Sequence, residues 1–137
     1  MIDIGPYQLK NSLFLAPMVG VSDTPFREIC AEAGAGLTIA EMLTSNADLW
    51  KNVRNRLKRI KPKSCGPHVV QIAGSDPQLM AQAAAMNAEF GADSIDINMG
   101  CPAKKVLKKA AGSALLKDEK LVERILTTVV ARVDVPV

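Results

Sequence analysis

The chain has 137 residues, the usual size of one domain, and its 48% hydrophobic and 23% charged residues exclude a globally disordered protein. The first ten residues lack the basic start and apolar run of a signal peptide, and no apolar stretch reaches the roughly 18 residues that span a bilayer. The net charge of +3 by itself indicates little about partners. Because the sequence shows neither a signal peptide nor a membrane span, it predicts a cytoplasmic protein without a membrane partner.

Predicted strands and helices alternate along the chain. Gly5-Pro6 separates two short extended pieces within residues 2–10, which predicts a small hairpin. Further strands are predicted at 12–16, 37–40, 68–73 and 94–98, with the start of a fifth at 133–137. Helices are predicted at 24–33, 76–90 and 118–132, with a partly helical basic segment at 45–59 and a loop at 62–67.

Repeated strand–helix units predict a parallel sheet, either doubly wound or closed as a (β/α)8 barrel. A doubly wound sheet usually carries a glycine-rich phosphate loop after its first strand, and no GxGxxG occurs there. Unusual or polar residues instead follow every strand: Pro17-Met18, Glu41, Gln71, Asn98 and Cys101. Barrels build their active sites at the carboxyl ends of their strands, so this α/β pattern predicts the N-terminal half of a (β/α)8 TIM barrel over residues 1–137.

Half of a barrel has consequences for the isolated chain. A whole barrel needs about 250 residues, so four units with a hairpin plugging one end are expected to form an incomplete catalytic domain. Two strand edges and one apolar sheet face would lack partners, and such surfaces associate. The sequence therefore predicts that the isolated chain self-associates, most simply as a two-fold dimer.

Basic residues cluster in two places. Seven lysines and arginines lie within residues 51–63 without an acid among them, and Lys104, Lys105, Lys108 and Lys109 follow Cys101. Basic clusters bind phosphate backbones through counterion release. A solvated helix face followed by a loop explains the same pattern equally well.

Four sequence blocks carry a family resemblance. They are APMVGVSDTPFR at 16–27, QIAGSDP at 71–77, DINMGCPAKKV at 96–106 and AGSALL at 111–116. In this order and spacing they resemble the tRNA-dihydrouridine synthases, most closely the bacterial B type, over nearly the whole chain. The resemblance implies a flavoprotein that reduces the C5=C6 bond of specific uridines in tRNA to 5,6-dihydrouridine, with hydride from reduced FMN and with NADPH as the reductant.

The resemblance assigns Cys101 as the catalytic proton donor to uridine C5. A thiol suits that role because it is mostly protonated at neutral pH, and the flanking glycine and proline allow close approach and stiffen the turn. The alternative for a lone cysteine is a small buried hydrophobe, which suits Cys30 and Cys65 better. The three cysteines form no CxxC pair and no zinc-ligand spacing, so reduced thiols and no metal site are expected.

The resemblance assigns five further residues to the cofactor. Pro17, Met18 and Val19 would lie along the flavin ring, although strand ends of this kind usually pack in a core. Gln71 would hydrogen-bond the polar edge of the ring, where the alternative is a sheet-end amide paired with the backbone. Asn98 would orient the flavin or the substrate.

Other polar residues receive weaker assignments. The resemblance implies that the lysines within residues 104–109 bind tRNA. Asp96 lies mid-strand among apolar residues, where a carboxylate is costly unless paired, so a structural role is at least as well supported. Glu41 receives no role, and His68 is expected to be structural, either packed or facing solvent.

Two rival functions stay open at this point. One is another FMN barrel oxidoreductase that acts on a small molecule, which the NMGCP loop and its neighbouring lysines argue against. The other is a non-catalytic fragment that keeps only RNA affinity.

Several parts of the resembled family would lie beyond residue 137: the later-strand lysine and histidine, the flavin phosphate site, the C-terminal half-barrel and the helical tRNA-binding domain.

Overall fold

The computed structural model of the chain describes residues 2–63 and 66–137, and it opens with the predicted hairpin. Strands β1 (Ile2–Ile4) and β2 (Tyr7–Leu9) pair antiparallel around Gly5, whose φ of +53° is the left-handed conformation that glycine tolerates best. Leu9 is buried against Leu37 and Val69. The hairpin is therefore packed against the first parallel strands.

The remaining strands are short and parallel, and their pairing follows their order in the chain. They are β3 (Phe14–Leu15), β4 (Leu37–Thr38), β5 (Leu43–Thr44), β6 (Val69–Ala73) and β7 (Ser94–Ile97). β3 pairs with β4, and β5, β6 and β7 pair in that order, with a bridge from Ile39 to Val69 linking the two sets. A doubly wound sheet reverses its strand order, so sequential pairing confirms the partial barrel.

In the described part of the chain, five α-helices lie between or after the strands. They are α1 (Thr24–Glu32), α2 (Val53–Lys58), α3 (Pro77–Glu89), α4 (Lys104–Leu107) and α5 (Glu119–Val130), with 3-10 turns at Ala47–Lys51 and Gly112–Lys117. Aspartates begin three of the helices, because Asp23, Asp76 and Asp118 each accept a backbone N–H three residues on, at 2.9–3.0 Å. No helix within the two described ranges is long and apolar enough to cross a membrane.

The structure differs from the predicted elements at three points. The strand predicted at 37–40 is shortened to β4, and β5, α4 and the 3-10 turn at Gly112–Lys117 were not predicted. Residues 133–137 form no strand, yet the carbonyl of Pro136 accepts hydrogen bonds from the N–H of Ile95 and the hydroxyl of Ser94, so this segment lies beside β7. The loop predicted at 62–67 includes Cys65, which lies outside the described residues.

The main core lies between the sheet and two helices. Val70 and Ile72 of β6 are buried against Met80 of α3 and Ile125 of α5. Alternation along the strand then directs Gln71 to the opposite face. The packing of this core therefore places a polar side chain on the face of the sheet that the helices do not cover.

Candidate functional site

Three polar side chains meet on one face of the sheet: Gln71 in the middle of β6, Asp96 within β7, and Asn98 just after β7. The amide nitrogen of Asn98 donates to Oε1 of Gln71 at 2.9 Å, and Nε2 of Gln71 donates to Oδ2 of Asp96 at 2.5 Å. Gln71 and Asp96 are register partners on neighbouring strands, so their side chains project from the same face. The structure thus brings together two residues that were predicted separately, and gives Asp96 the polar partner that its position requires.

The same asparagine organises the loop that carries Cys101. Its Oδ1 accepts hydrogen bonds from the backbone N–H groups of Cys101 at 3.0 Å and Gly100 at 3.3 Å. Cys101 is half-buried and forms no disulfide. Asn98 therefore links the Gln71 amide to the cysteine backbone.

A second segment holds Cys101 from its carbonyl side. The N–H and the hydroxyl of Ser113 donate to the Cys101 carbonyl at 3.1 and 3.3 Å. Gly112 has a φ of +63°, and a Cβ placed on it would lie 2.5 Å from that carbonyl oxygen. These two residues lie in the AGSALL block, but no role was predicted for them because their contact with Cys101 crosses more than ten residues of chain.

These groups surround a cavity of about 600 Å³, which we call the strand-end cavity. Its lining includes Pro17, Val19, Gln71, Asn98 and Cys101. Five of the six residues predicted for cofactor or catalysis therefore lie around one space, although the strands that bear them are far apart in sequence.

Met18 and Met42 depart from the predicted lining. Met18 does not line the strand-end cavity, and its backbone N–H donates to the Ser22 hydroxyl at 2.7 Å. Met42 does line it but was not predicted, because it lies beyond the end of the strand predicted at 37–40, between β4 and β5.

A second cavity, of about 470 Å³, adjoins the first and shares Val19 and Met42 with it. We call it the lysine cavity, because Lys58, Lys105 and Lys109 line it. The four lysines of the 104–109 cluster are all exposed, on and just after α4, but only two of them reach this cavity. The cluster is therefore divided between a cavity wall and open solvent.

The basic segment at 51–63 is less free than its sequence indicates. Lys58 forms an ion pair with the buried Glu41 at 3.2 Å, and Lys61 forms one with Asp93 at 2.6 Å. The guanidinium of Arg59 lies between the rings of Trp50 and Phe90, at 4.8 and 3.8 Å, and donates to Asn87 and to the Met86 carbonyl. Three of the seven basic side chains therefore stabilise the fold.

Groups with shifted pKa values lie at the opposite ends of the strands. His68, which directly precedes β6, is buried, and burial lowers its pKa, helped by the charge of Arg27 and opposed by the hydrogen bond to the Arg59 carbonyl. Burial raises the pKa of Asp93, but hydrogen bonds from the His68 N–H and Lys61 outweigh it and lower that pKa. His68 is thus packed, and its solvent-facing alternative is wrong.

Cys30 and the candidate metal ligands of the described residues form no second centre. Cys30 lies half-buried in α1 as a free thiol. Within residues 2–63 and 66–137, no group of three or more His, Cys, Asp or Glu side chains is arranged to hold a metal ion.

Comparison with known proteins finds one family model and several curated proteins that are similar to this chain. The family model for dihydrouridine synthase matches residues 14–137. The tRNA-dihydrouridine synthase B of Pseudomonas syringae pv. tomato is 60% identical over 136 residues, which are 99% of this chain and 40% of that protein. The synthases B of Pseudomonas aeruginosa and Escherichia coli K12 are each 57% identical, over 100% and 98% of this chain and 41% and 42% of their own length. The chain thus spans about two fifths of the curated relatives it matches.

Proposed function

This chain belongs to the dihydrouridine synthase family, and on that premise we propose that the protein containing it reduces uridine in tRNA to 5,6-dihydrouridine. The proposal rests on the position of Cys101, which lines the strand-end cavity together with the hydrogen-bonded amides of Gln71 and Asn98. Because the chain spans about two fifths of its relatives, the activity, the substrate and the partners of the whole protein all belong to the proposal.

The residues around the strand-end cavity fit a flavin of the FMN type. Pro17 and Val19 provide an apolar wall for a ring face, and the amides of Gln71 and Asn98 provide the donors and acceptors that a polar ring edge requires. A cavity of about 600 Å³ lies within the usual range for cofactors. When bound, reduced FMN supplies the hydride, and we propose NADPH as the reductant that regenerates it.

Met18 is included in the proposed cofactor set through its backbone. Its carbonyl accepts hydrogen bonds from the N–H groups of Val21 and Ser22, at 3.0 and 2.9 Å, which close a tight turn after Pro17. This turn fixes the main chain beside Val19, which lines the cavity. We therefore assign Met18 to shaping the flavin wall rather than to covering the ring with its side chain.

Cys101 performs the proton transfer in the proposed reaction. Reduction of the C5=C6 bond adds a hydride at C6 and a proton at C5, and the Cys101 thiol donates that proton. Its backbone is held on one side by Asn98 and on the other by Ser113, so the sulfur is the part of the residue left to move within the cavity. This fixed backbone provides the alignment that general acid catalysis requires.

Lys104, Lys105, Lys108 and Lys109 are proposed to bind the tRNA. They are exposed, lie directly after the catalytic loop, and form no ion pair within the described part of the chain. Phosphate contacts position a nucleic acid without reading its sequence, which suits a group at the rim of the site. Since the proposed substrate is cytoplasmic, we propose the same location for the protein.

The test is reduction of unmodified tRNA by the protein that contains this chain, loaded with FMN and supplied with NADPH. We expect dihydrouridine in the recovered tRNA, seen by mass spectrometry as a gain of two hydrogens, and NADPH oxidation that depends on tRNA. Already modified tRNA serves as the negative control. NADPH oxidation that depends instead on free uridine or on orotate-like small molecules, which carry a reducible C5=C6 bond, would contradict the proposal.

A further inference from the structure

We propose that the lysine cavity binds the nucleotide adjoining the target uridine in the RNA chain, with the base inside and the phosphate at the lysines. The inference rests on the proposed function, because that function brings a polynucleotide to the neighbouring strand-end cavity. Val19 and Met42 form a wall common to both cavities, so one occupant lies next to the other. Such a cavity would determine which uridines are accepted.

The walls of the cavity suit an aromatic ring. Val19, Met42, Leu79 and Val106 give it apolar sides, and its volume of about 470 Å³ is within the range of small-ligand sites. Leu79 is 42% exposed and Val19 is 52% exposed, so both side chains have apolar surface that a ligand can cover. A stacked base would cover both side chains.

Two amides offer hydrogen bonds to the edge of a base. Oδ1 of Asn46 accepts from the N–H of Asp48, whereas its Nδ2 has no partner in the described part of the chain. Asn55 has the opposite arrangement, because its Nδ2 donates to the Leu49 carbonyl at 2.8 Å and its Oδ1 is left without a partner among those residues. These two amides therefore leave one donor group and one acceptor atom for a ligand in the lining.

The charge of the cavity suits a phosphate. Lys58 is already neutralised by Glu41, and Asp76 is engaged as the cap of α3. Lys105 and Lys109 have no ion-pair partner within residues 2–63 and 66–137. These two lysines lie four residues apart on and just after α4 and both line the cavity, which fits the phosphate of a nucleotide better than a neutral ligand.

The nucleotide part of NADPH also carries a base and a phosphate, so it is a second candidate occupant of the lysine cavity. The experiment distinguishes a nucleotide of the tRNA from NADPH. The modified uridine is first mapped with the unaltered protein, which also tests the proposed function independently. Substrate tRNAs are then prepared with an abasic nucleotide on the 5′ or the 3′ side of that uridine. Removing the base on one side should lower kcat/KM about fivefold to a hundredfold, the value of one stacked base.

Leu79→Trp fills the cavity and is the main variant. We expect it to lower kcat/KM on natural tRNA by a similar factor and to abolish the penalty for the abasic neighbour, with an unchanged rate of flavin reduction by NADPH. Asn46→Asp is the second variant, since aspartate caps the following turn equally well but removes the amide donor. It should lower kcat/KM on natural tRNA while its unfolding temperature stays unchanged.

The lysines supply a matched comparison. Lys105→Ala/Lys109→Ala and Lys104→Ala/Lys108→Ala remove the same charge from the same segment, but only the first pair lines the cavity. The first pair should raise KM for tRNA more than the second. Three results would each overturn the proposal. The two lysine pairs could lose equally, or the abasic penalty could persist in Leu79→Trp. A variant could also slow flavin reduction by NADPH while its tRNA kinetics stay normal.

Discussion

The side-chain oxygen of Asn98 accepts the backbone N–H of Cys101 at 3.0 Å, while the nitrogen of the same amide donates to Gln71 at 2.9 Å. One side chain thus spans the loop that bears the thiol and the strand end that would face a flavin. Each half of the amide performs a different task, so the two tasks are separable by substitution.

Asn98→Asp keeps the oxygen that receives the Cys101 N–H and loses the donor to Gln71, whereas Asn98→Ala loses both. We expect kcat to fall about 10²-fold in Asn98→Ala, the cost of a small misplacement in an active site, and less in Asn98→Asp. Single-turnover kinetics with pre-reduced flavin measure the step directly. Equal kcat values for the two variants would show that the hydrogen bond to Cys101 has no catalytic consequence.

Cys101→Ala removes the proposed proton donor and little else. Flavin content should be unchanged, and dihydrouridine formation should fall by about 10²–10⁴-fold, the usual contribution of a general acid. Absorbance of the purified variant gives the flavin content, and mass spectrometry of the tRNA gives the product. Cys30→Ala is the control, because Cys30 lies in α1 and does not line the strand-end cavity. Normal turnover by Cys101→Ala would refute the assignment.

Gly112→Ala should destabilise the chain and disturb the cysteine loop. Its φ is +63°, and the added Cβ would lie 2.5 Å from the Cys101 carbonyl oxygen. Gly66→Ala is a matched control, with a φ of +56° but no atom within 4 Å of the new Cβ. We expect the left-handed conformation to cost about 1–2 kcal/mol in both variants and the clash to add to it only in Gly112→Ala. Urea unfolding measures the difference, and equal stabilities would contradict the close contact.

Stability should fall as the pH is lowered through the titration of His68. Its pKa is lowered in the folded chain, so the unfolded state binds the proton first, below about pH 6.5, and the free energy of unfolding decreases from there down to the folded pKa. Protonation would place a charge near Arg27, in a site where Nδ1 has no partner among the described residues. The pKa of Asp93 is also lowered in the folded chain, so the free energy of unfolding decreases a second time as the pH falls below 3.8, the ordinary pKa of this carboxyl.

His68→Gln separates these two windows. Glutamine can still donate to the Arg59 carbonyl, but it does not titrate, so the decrease in stability between neutral pH and about pH 5 should become smaller. Thermal unfolding across that range provides the measurement. If the variant and the unaltered chain show parallel curves, the pH dependence arises elsewhere.

The 137-residue chain, purified alone, should self-associate and retain little FMN. β3 pairs only with β4 in the described part of the chain, and next to it Leu13 and Phe14 are 64% and 43% exposed. Unpaired edges with apolar side chains associate with other chains. Light scattering after size exclusion, with a flavin spectrum of the same peak, is the measurement. A monomer with stoichiometric FMN would contradict both expectations.

Local signals predicted the elements that depend on local bonds. An aspartate closely followed by a proline marks the start of α1 and of α3, and the blocks at 71–77 and 96–106 located Gln71, Asn98 and Cys101. Features formed across long stretches of chain were not predicted. The pairing of Lys58 with Glu41 and of Lys61 with Asp93 joins residues 17 and 32 positions apart, and no local pattern reports such a contact. The sequence therefore overestimates how many basic side chains of residues 51–63 are free to bind RNA.

Trp50 is the chain's one tryptophan, buried to 4% exposure, and its indole N–H donates to the Thr44 carbonyl at 2.8 Å. Thr44 also lines the lysine cavity. Intrinsic indole fluorescence therefore originates from a single position that is bonded to a wall of that cavity. Occupation of the cavity becomes observable by a change in emission, without a label and independently of turnover.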